Sequence, residues 1–482
     1  MFESSRYLTL IVLLVLPALV AARDAIPLTT ASEEARTLYL QGRDLAEKLR
    51  NQEAAQLYQQ ALAADPECGL CYLSAALVQP SFKGFFAYLD QAEARLDQVS
   101  QGERLWIKGL VAGANGRPQE QRQHYSELVE LHPGDPRAHN LLGNHHFGQQ
   151  NYPQAIAAYE KALAIDPEFS PIYNQLGYAQ RFLGNYSAAE AAFGRYIELI
   201  PDDPNPYDSY AELLLKMGRY QDSIASYHRA LAQDPHFVAS YLGIATNLNY
   251  LGRHAEAQTQ LDTLFAGARN DGERRAALFA QAVSYADQGD LDSALAHFAK
   301  QAEIATANED AGGLSADLIN MGTLLLELGR LDAAAAQFAR SLAVVEEADL
   351  GDAVKDNTRR AHLFNLGRLA LAQGNTALAR QQAEQLMQRA QALHNTAQTR
   401  LAHQLEGMIA LQTDQPDKAL AHLRQANQQD PYNLYRMAQA YQQAGLLDQA
   451  RQQADQAADF NALNNLNHAL SRHRARQLAE VQ

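Results

Sequence analysis

The sequence predicts an all-α solenoid, and three observations carry that prediction. Pro133, Pro167, Pro201 and Pro235 recur at one constant interval. Gly143, Gly177, Ala211 and Ala245 keep the same step, as do Ala155, Ala189, Ser223 and Ala257, and again Tyr159, Phe193, Tyr227 and Leu261. The composition is rich in alanine, leucine and glutamine, all good helix formers. A period of this length marks a stack of units, each too small to bury its own apolar face. Such a chain offers a long surface rather than one core with a catalytic cleft.

One unit shows how the elements arise. Between Pro136 and Pro167, Leu142-Gly143 sit in a first helix and Ala155, Tyr159 and Ala162 in a second. Small residues at Gly143 and Ala155 let the two helices approach closely, and Tyr159 fills the gap toward the next unit. Pro167 cannot continue a helix, so it closes one unit and opens the next. Gly184, Gly218 and Gly252 fall in the turns, where a positive φ is easiest for glycine.

On these residues the chain resembles the tetratricopeptide repeat, a helix–turn–helix unit. The resemblance implies a right-handed α-solenoid. The four units from Arg137 to about Ala268 match well, and degenerate copies extend the template to about twelve units. Upstream, Leu38, Gly42, Ala54, Tyr58, Ala61 and Pro66 mark one unit; Tyr72, Ala76, Tyr88 and Ala92 mark a looser one; Leu105, Gly109, Gly116, Tyr125, Leu128 and Pro133 mark a third. Downstream units are longer, which predicts extended helices and insertions near Glu346–Asn357 and Gln391–Thr396. The expected organisation is a regular array over 35–268, a longer-repeat array over 269–460, and a C-terminal capping helix over 461–482.

The first 22 residues read as a secretory signal peptide: Arg6 precedes an apolar run over Tyr7–Val20, and Val20-Ala21-Ala22 supplies small residues for cleavage. The run is shorter than the roughly 20 residues of a membrane span, and Pro17 interrupts it. The other reading of this segment is an uncleaved anchor. A linker over 23–34 follows. The expectation is therefore an exported protein, periplasmic or secreted, with no transmembrane segment after cleavage. A net charge of −15 argues against nucleic acid or an anionic membrane as partner.

The two cysteines form Cys68-Gly69-Leu70-Cys71 at the start of a helix. A local disulfide is the first expectation in an exported protein; two packing thiols, or redox or metal chemistry, are the other readings. His139, His145 and His146 share one helix and read as packing residues, since no carboxylate pair stands at ligand spacing. No GxSxG, P-loop, HExxH or GxGxxG context occurs, so no catalytic residue, metal or cofactor is expected. Arg472-His473-Arg474 and Arg476 form a basic cluster, expected on the solvated face of the capping helix or as a docking patch for an acidic partner.

The resemblance also implies that the first helix of each unit lines an inner wall. The inward positions include Asn140, Asn144, Asn174, Tyr178, Arg181, Asn205, Asp208, Glu212, Thr246 and Asn249. Amides both donate and accept, which suits peptide backbone or sugar hydroxyls. The binding residues expected are Asn140, Asn144, Asn174, Tyr178, Arg181, Asp208, Glu212 and Asn249. Further along, the wall turns apolar with Phe279, Val283, Ile319, Leu326, Phe364 and Leu371, expected either to bind an apolar peptide face or to be closed by superhelical curvature.

Some tetratricopeptide domains clamp the acidic tails of cytosolic chaperones with lysine, asparagine and arginine. Asn144 fits one clamp position, but Asn140 holds the lysine place, Asn174 is one place off, and Asn205 and Ser209 stand where lysine and arginine are needed. That departure argues against tail binding. The sequence points to a non-catalytic exported scaffold that binds a protein or peptide partner in its groove, with a scaffold for polysaccharide export or glycan binding as the alternative.

Overall fold

The computed structural model describes residues 25–480. The proposed signal peptide lies outside the described residues. Twenty-five helices and no strand occur in the described part. They form eleven closely packed antiparallel pairs, one looser pair near the start, and one final helix. The first pairs are α1 (Glu33–Glu47) with α2 (Asn51–Ala64), α3 (Gly69–Leu77) with α4 (Phe82–Glu93), and α5 (Gln101–Ala114) with α6 (Pro118–Leu131). Next come α7 (Pro136–Gly148) with α8 (Tyr152–Ile165), α9 (Ser170–Phe182) with α10 (Tyr186–Leu199), α11 (Pro204–Lys216) with α12 (Tyr220–Gln233), and α13 (Val238–Tyr250) with α14 (His254–Ala266). The longer pairs are α15 (Asp271–Gln288) with α16 (Leu291–Ala307), α17 (Ala311–Glu327) with α18 (Leu331–Glu347), and α19 (Asp352–Ala372) with α20 (Thr376–Ala392). The series closes with α21 (Thr396–Gln412), α22 (Pro416–Leu423), α23 (Pro431–Gln443), α24 (Leu447–Ala458) and the final α25 (Leu466–Glu480). The extra downstream residues are taken up largely as helix: within Glu346–Asn357 only residues 348–351 are non-helical.

One contact recurs inside the pairs. A glycine in the first helix faces an aromatic ring in the second. A methyl group at Gly143 would lie 2.4 Å from Tyr159, one at Gly177 would lie 2.6 Å from Phe193, and one at Gly322 would lie 2.5 Å from Phe338. These rings are fully buried. Tyr159 therefore packs first on its own pair, and from there joins Phe169, Ile172 and Ala179 of the next. The turn glycines Gly184, Gly218 and Gly252 have φ of +78°, +74° and +73°. Gln150 holds the same place between α7 and α8 with φ +60°, a conformation that disfavours a side chain.

The chain divides into two compact units, residues 25–79 with Phe85–Pro201, and Pro80–Gly84 with 202–480. In unit 1 the segment read as a linker is tied down. Ile26 donates its N–H to Asp135, the N-cap of α7, at 2.8 Å, and Thr29 donates its N–H to Glu103 at 2.8 Å. The Thr30 hydroxyl donates to Asp65. Glu103 is fully buried and also completes the capping box of α5 with Ser100. Cys68 and Cys71 are bonded to each other with sulfurs 1.97 Å apart, and Cys68 is the N-cap of α3.

Gly177→Ala should destabilise the chain by about 1–3 kcal/mol, because the ring of Phe193 has nowhere to go in a packed pair. Gln150→Gly should stabilise it by about 1 kcal/mol by relieving a left-handed side chain. Urea unfolding of both variants checks the two signs; a neutral Gly177→Ala would refute the close approach. Intact-mass measurement without reductant should show Cys68 joined to Cys71, and alkylation of both would exclude it.

Candidate functional site

Unit 1 contains a cavity of about 340 Å³ built by the first helices of five consecutive pairs. Tyr39, Arg43 and Glu47 come from α1, Ser74 from α3, Trp106 from α5, Asn140 and Asn144 from α7, and Asn174 and Gln175 from α9. The stacking of pairs in unit 1 places its first helices on this side, so positions spaced by one repeat converge. Asn140 and Asn174 occupy equivalent places in successive repeats.

The wall has a charged end and an amide end. Arg137 Nε donates to Glu47 at 3.0 Å, and Arg43 stands 4.0 Å from the same carboxylate. Tyr39 and Tyr58 are buried behind them, and burial pushes both phenols up, so they stay neutral. At the amide end the Tyr159 hydroxyl donates to Asn144 Oδ1 at 2.8 Å, which fixes the orientation of that amide. Asn174 is 8% exposed, and its Oδ1 is buried with no hydrogen-bond partner; Asn140 Oδ1 is in the same condition. A buried, unpaired amide oxygen costs about 1–3 kcal/mol and calls for a donor.

The sequence-predicted residues fall into two groups. Asn140, Asn144 and Asn174 meet in this cavity. Tyr178 and Arg181 lie further along α9, outside its lining, where the Arg181 guanidinium stacks 4.8 Å from the ring centres of Tyr178 and Phe182. Asp208, Glu212 and Asn249 belong to unit 2. Asp208 is buried and accepts from the Ser240 hydroxyl at 2.7 Å. Burial first, then Glu212, holds its carboxyl well above the ordinary range. Asn249 is buried and accepts from Ser284 at 2.8 Å. Asp208 and Asn249 thus spend their polar atoms inside the fold. Trp106 was missed, although the period could have found it: it stands one repeat before Asn140, outside the four regular units whose inward positions were read.

The inner wall of unit 2 is already occupied. Residues 460–474 run along it and reach five first helices. Lys216 of α11 donates to the Phe460 carbonyl, and Thr246 of α13 accepts from the Asn464 N–H at 3.3 Å. Asp287 of α15 receives Arg472 through two hydrogen bonds, one of 3.0 Å, with both side chains at most 3% exposed. Glu327 of α17 accepts from Arg474 at 2.7 Å, and Asp430 at the start of α23 accepts from Asn467 at 3.2 Å.

This corrects two expectations. Arg472 is not on a solvated face, because its acidic partner is Asp287 of the same chain. The apolar wall at Phe279 and Val283 is covered neither by a foreign peptide nor by curvature alone: Leu466, Ala469 and Leu470 of α25 pack on it. Burial pushes the Asp287 carboxyl up, but the hydrogen bond from His254 and the charge of Arg472 outweigh that and hold it below the ordinary range. His468 is fully buried. Its Nε2 lies 3.2 Å from the Ala458 carbonyl and its Nδ1 lies 2.8 Å from the Tyr250 hydroxyl, which itself donates to the Ala462 carbonyl.

The histidines of α7 are engaged in packing. His139 Nε2 lies 3.0 Å from the Pro133 carbonyl, and His145 Nδ1 lies 2.9 Å from Gln121 Oε1. Burial brings His145 down to about 4. Among the described residues, no cluster of three or more His, Cys, Asp or Glu is placed to hold a metal. No described helix is long and apolar enough to cross a membrane.

Paired helices stacked in series, with first helices lining a wall, define a helical-repeat scaffold. Tetratricopeptide-repeat family models match residues 108–169, 146–213, 214–282, 273–347 and 360–385. The chain is a tetratricopeptide-repeat protein. It is similar to Superkiller complex protein 3 of Mus musculus, 31% identical over 20% of this chain and 6% of that protein. It is also similar to U-box domain-containing protein 70 of Oryza sativa subsp. japonica, 28% identical over 32% of this chain and 20% of that protein. The chain thus spans a fifth or less of the length of these two relatives. A solved tetratricopeptide repeat protein from Parabacteroides merdae aligns with 56% of this chain and 93% of that chain, at 17% identity and a TM-score of 0.37.

His468 sets a pH dependence for unit 2. Burial, then the charge of Arg472, lowers it from 6.5 to about 3. The unfolded chain therefore binds this proton at a higher pH than the folded chain does. The stability is complete above pH 6.5 and is lost as pH falls toward 3, by at most about 1.4 kcal/mol per pH unit. His468→Gln should lose less stability than the wild type between pH 7 and pH 4 in urea unfolding. Equal losses would mean that the ring is not held neutral.

Proposed function

We propose that the chain is a non-catalytic scaffold that captures an extended segment of a partner protein in the unit 1 cavity. The observation that carries this reading is the pair of unpaired amide oxygens, Asn140 Oδ1 and Asn174 Oδ1, one repeat apart in one cavity. Each asks for an N–H donor, and a peptide backbone supplies them in series. The Arg–Glu network at the other end leaves little free charge, so shape and backbone hydrogen bonds set the selectivity. With the signal peptide read at residues 1–22, the working place of this scaffold is the cell envelope or beyond.

A second reading, a glycan scaffold for polysaccharide export, draws on Trp106, which lines the cavity and is only partly buried. Sugar rings need flat aromatic faces to stack on. Tyr39 and Tyr58 are 1% exposed, so Trp106 alone offers one there. Peptide is the better fit.

Asn174→Leu separates binding from folding. It removes an unpaired buried oxygen at similar volume, so it should raise stability by about 1–2 kcal/mol while weakening partner capture about tenfold. The readouts are urea unfolding and crosslinking from a photoreactive residue at Gln175, with the captured species identified by mass. Capture at wild-type level would place the site elsewhere, and capture of polysaccharide would favour the glycan scaffold.

A further inference from the structure

The inner wall of unit 2 has the makings of a second binding site, independent of the unit 1 cavity. Its occupant, residues 460–480, is held by polar bonds as well as by apolar packing. Arg472 meets Asp287, Arg474 meets Glu327 and Tyr432, and Asn467 meets Asp430. The Phe460 ring lies 3.4 Å from the Lys216 ammonium, and the Tyr220 hydroxyl donates to Asn461 at 2.8 Å. We propose that this wall is a groove for an amphipathic helix bearing arginine on its bound face, and that the chain's own C-terminal helix occupies the groove in cis.

Three features support an exchangeable occupant over a fixed core element. A fully buried ion pair adds little net stability compared with apolar packing, but it sets register and partner identity. Removing one partner strands a buried charge, whereas departure of the whole helix lets water solvate both Arg472 and Asp287. The wall carries acceptors for such a helix: Asp287 and Glu327 meet its arginines and Asp430 meets Asn467, while Lys216 and Arg368 are cations on the same wall.

Packing beside the occupant is also incomplete. A cavity of about 340 Å³ lies between Asn465, Leu466 and Asn467 and the wall residues Ile319, Thr323, Phe364 and Arg368. This space is open to solvent, so it leaves room for a helix with bulkier side chains at its start. Burial brings Arg368 at its edge down to about 10.

The apolar contacts set the strength of closure. Leu466, Ala469 and Leu470 cover the wall, while Ala475, Leu478 and Ala479 cover the exposed end of the last pair. Release of α25 uncovers both surfaces. The closed form is therefore the resting state, and an outside helix must compete for the wall.

The test uses the full chain and a fluorescent peptide of residues 459–480. In the wild type, hydrogen exchange in α25 should proceed through opening events that leave α15 and α17 protected. Arg472→Glu places like charges together, so it should speed exchange in α25 and let the peptide bind at least about tenfold more tightly than to the wild type. Adding Asp287→Ala to that variant should abolish the gain. If Arg472→Glu does not fold, Arg472→Gln takes its place with the same readouts. Exchange in α25 only together with α15 and α17 would overturn the proposal, as would an opened variant that ignores the peptide. A dimer with exchanged C-terminal helices would overturn it too, because the occupant would then be a second copy. Peptide uptake unchanged by Asn174→Leu separates this groove from the unit 1 cavity.

Discussion

The contact between a first-helix glycine and an aromatic ring of its partner helix sets the rest of the architecture. Helices of 13 or 14 residues are marginal alone, and their stability comes from packing. The glycine lets two backbones close on a ring that fills the gap, and that distance fixes how the next pair docks. Where the glycine is replaced, the contact adapts. Ala211 stands at the glycine place opposite Tyr227, and the ring turns to Gly243 of the following pair, where a methyl would lie 2.0 Å from it. The ring is the constant, and the small residue facing it can come from either side.

Once pairs stack in this way, the first helices within each unit share a wall, and that wall is where function is decided. The two units treat it differently. In unit 1 the wall encloses a cavity lined by amides, two of whose oxygens lack donors. In unit 2 the equivalent polar positions are used up: Asp208 is bonded to Ser240, Asn249 to Ser284, and Thr246 to the C-terminal segment. Equivalent repeat positions therefore carry different roles, and a residue's place in the repeat does not by itself assign it to a site.

The helical pairs were legible because their determinants are local. Proline at the unit boundary, glycine in the turn and a small residue opposite a ring all lie within one repeat length. The amide wall was legible in part for the same reason, since Asn140 and Asn174 are related by the period. The covering of unit 2 was not. Arg472 and Asp287 are 185 residues apart, and nothing near Asp287 marks it as a partner for a distant arginine. Trp106 stands one period before Asn140 and escaped notice because the inward positions were read from the four regular units onward, not before them. Periodicity reports what each repeat has in common, while sites are built from what the repeats do not share.

A polar interface on an otherwise apolar stack has a further consequence. Contacts between successive pairs bury alanine, leucine and aromatic rings, and water cannot replace them. Contacts between α25 and the wall combine the apolar packing of Leu466, Ala469 and Leu470 with guanidinium to carboxylate, amide to carboxylate and imidazole to phenol contacts, and water can replace the polar part. The energy that holds this helix thus depends on protonation more than the energy that holds the pairs together, while salt screens the buried Arg472–Asp287 pair only weakly. Asp287 is at the centre of that dependence, because it accepts from His254 and Arg472 through its side chain and from His473 through its carbonyl. The same residue that gives the helix its register is therefore the point at which solution conditions can loosen it.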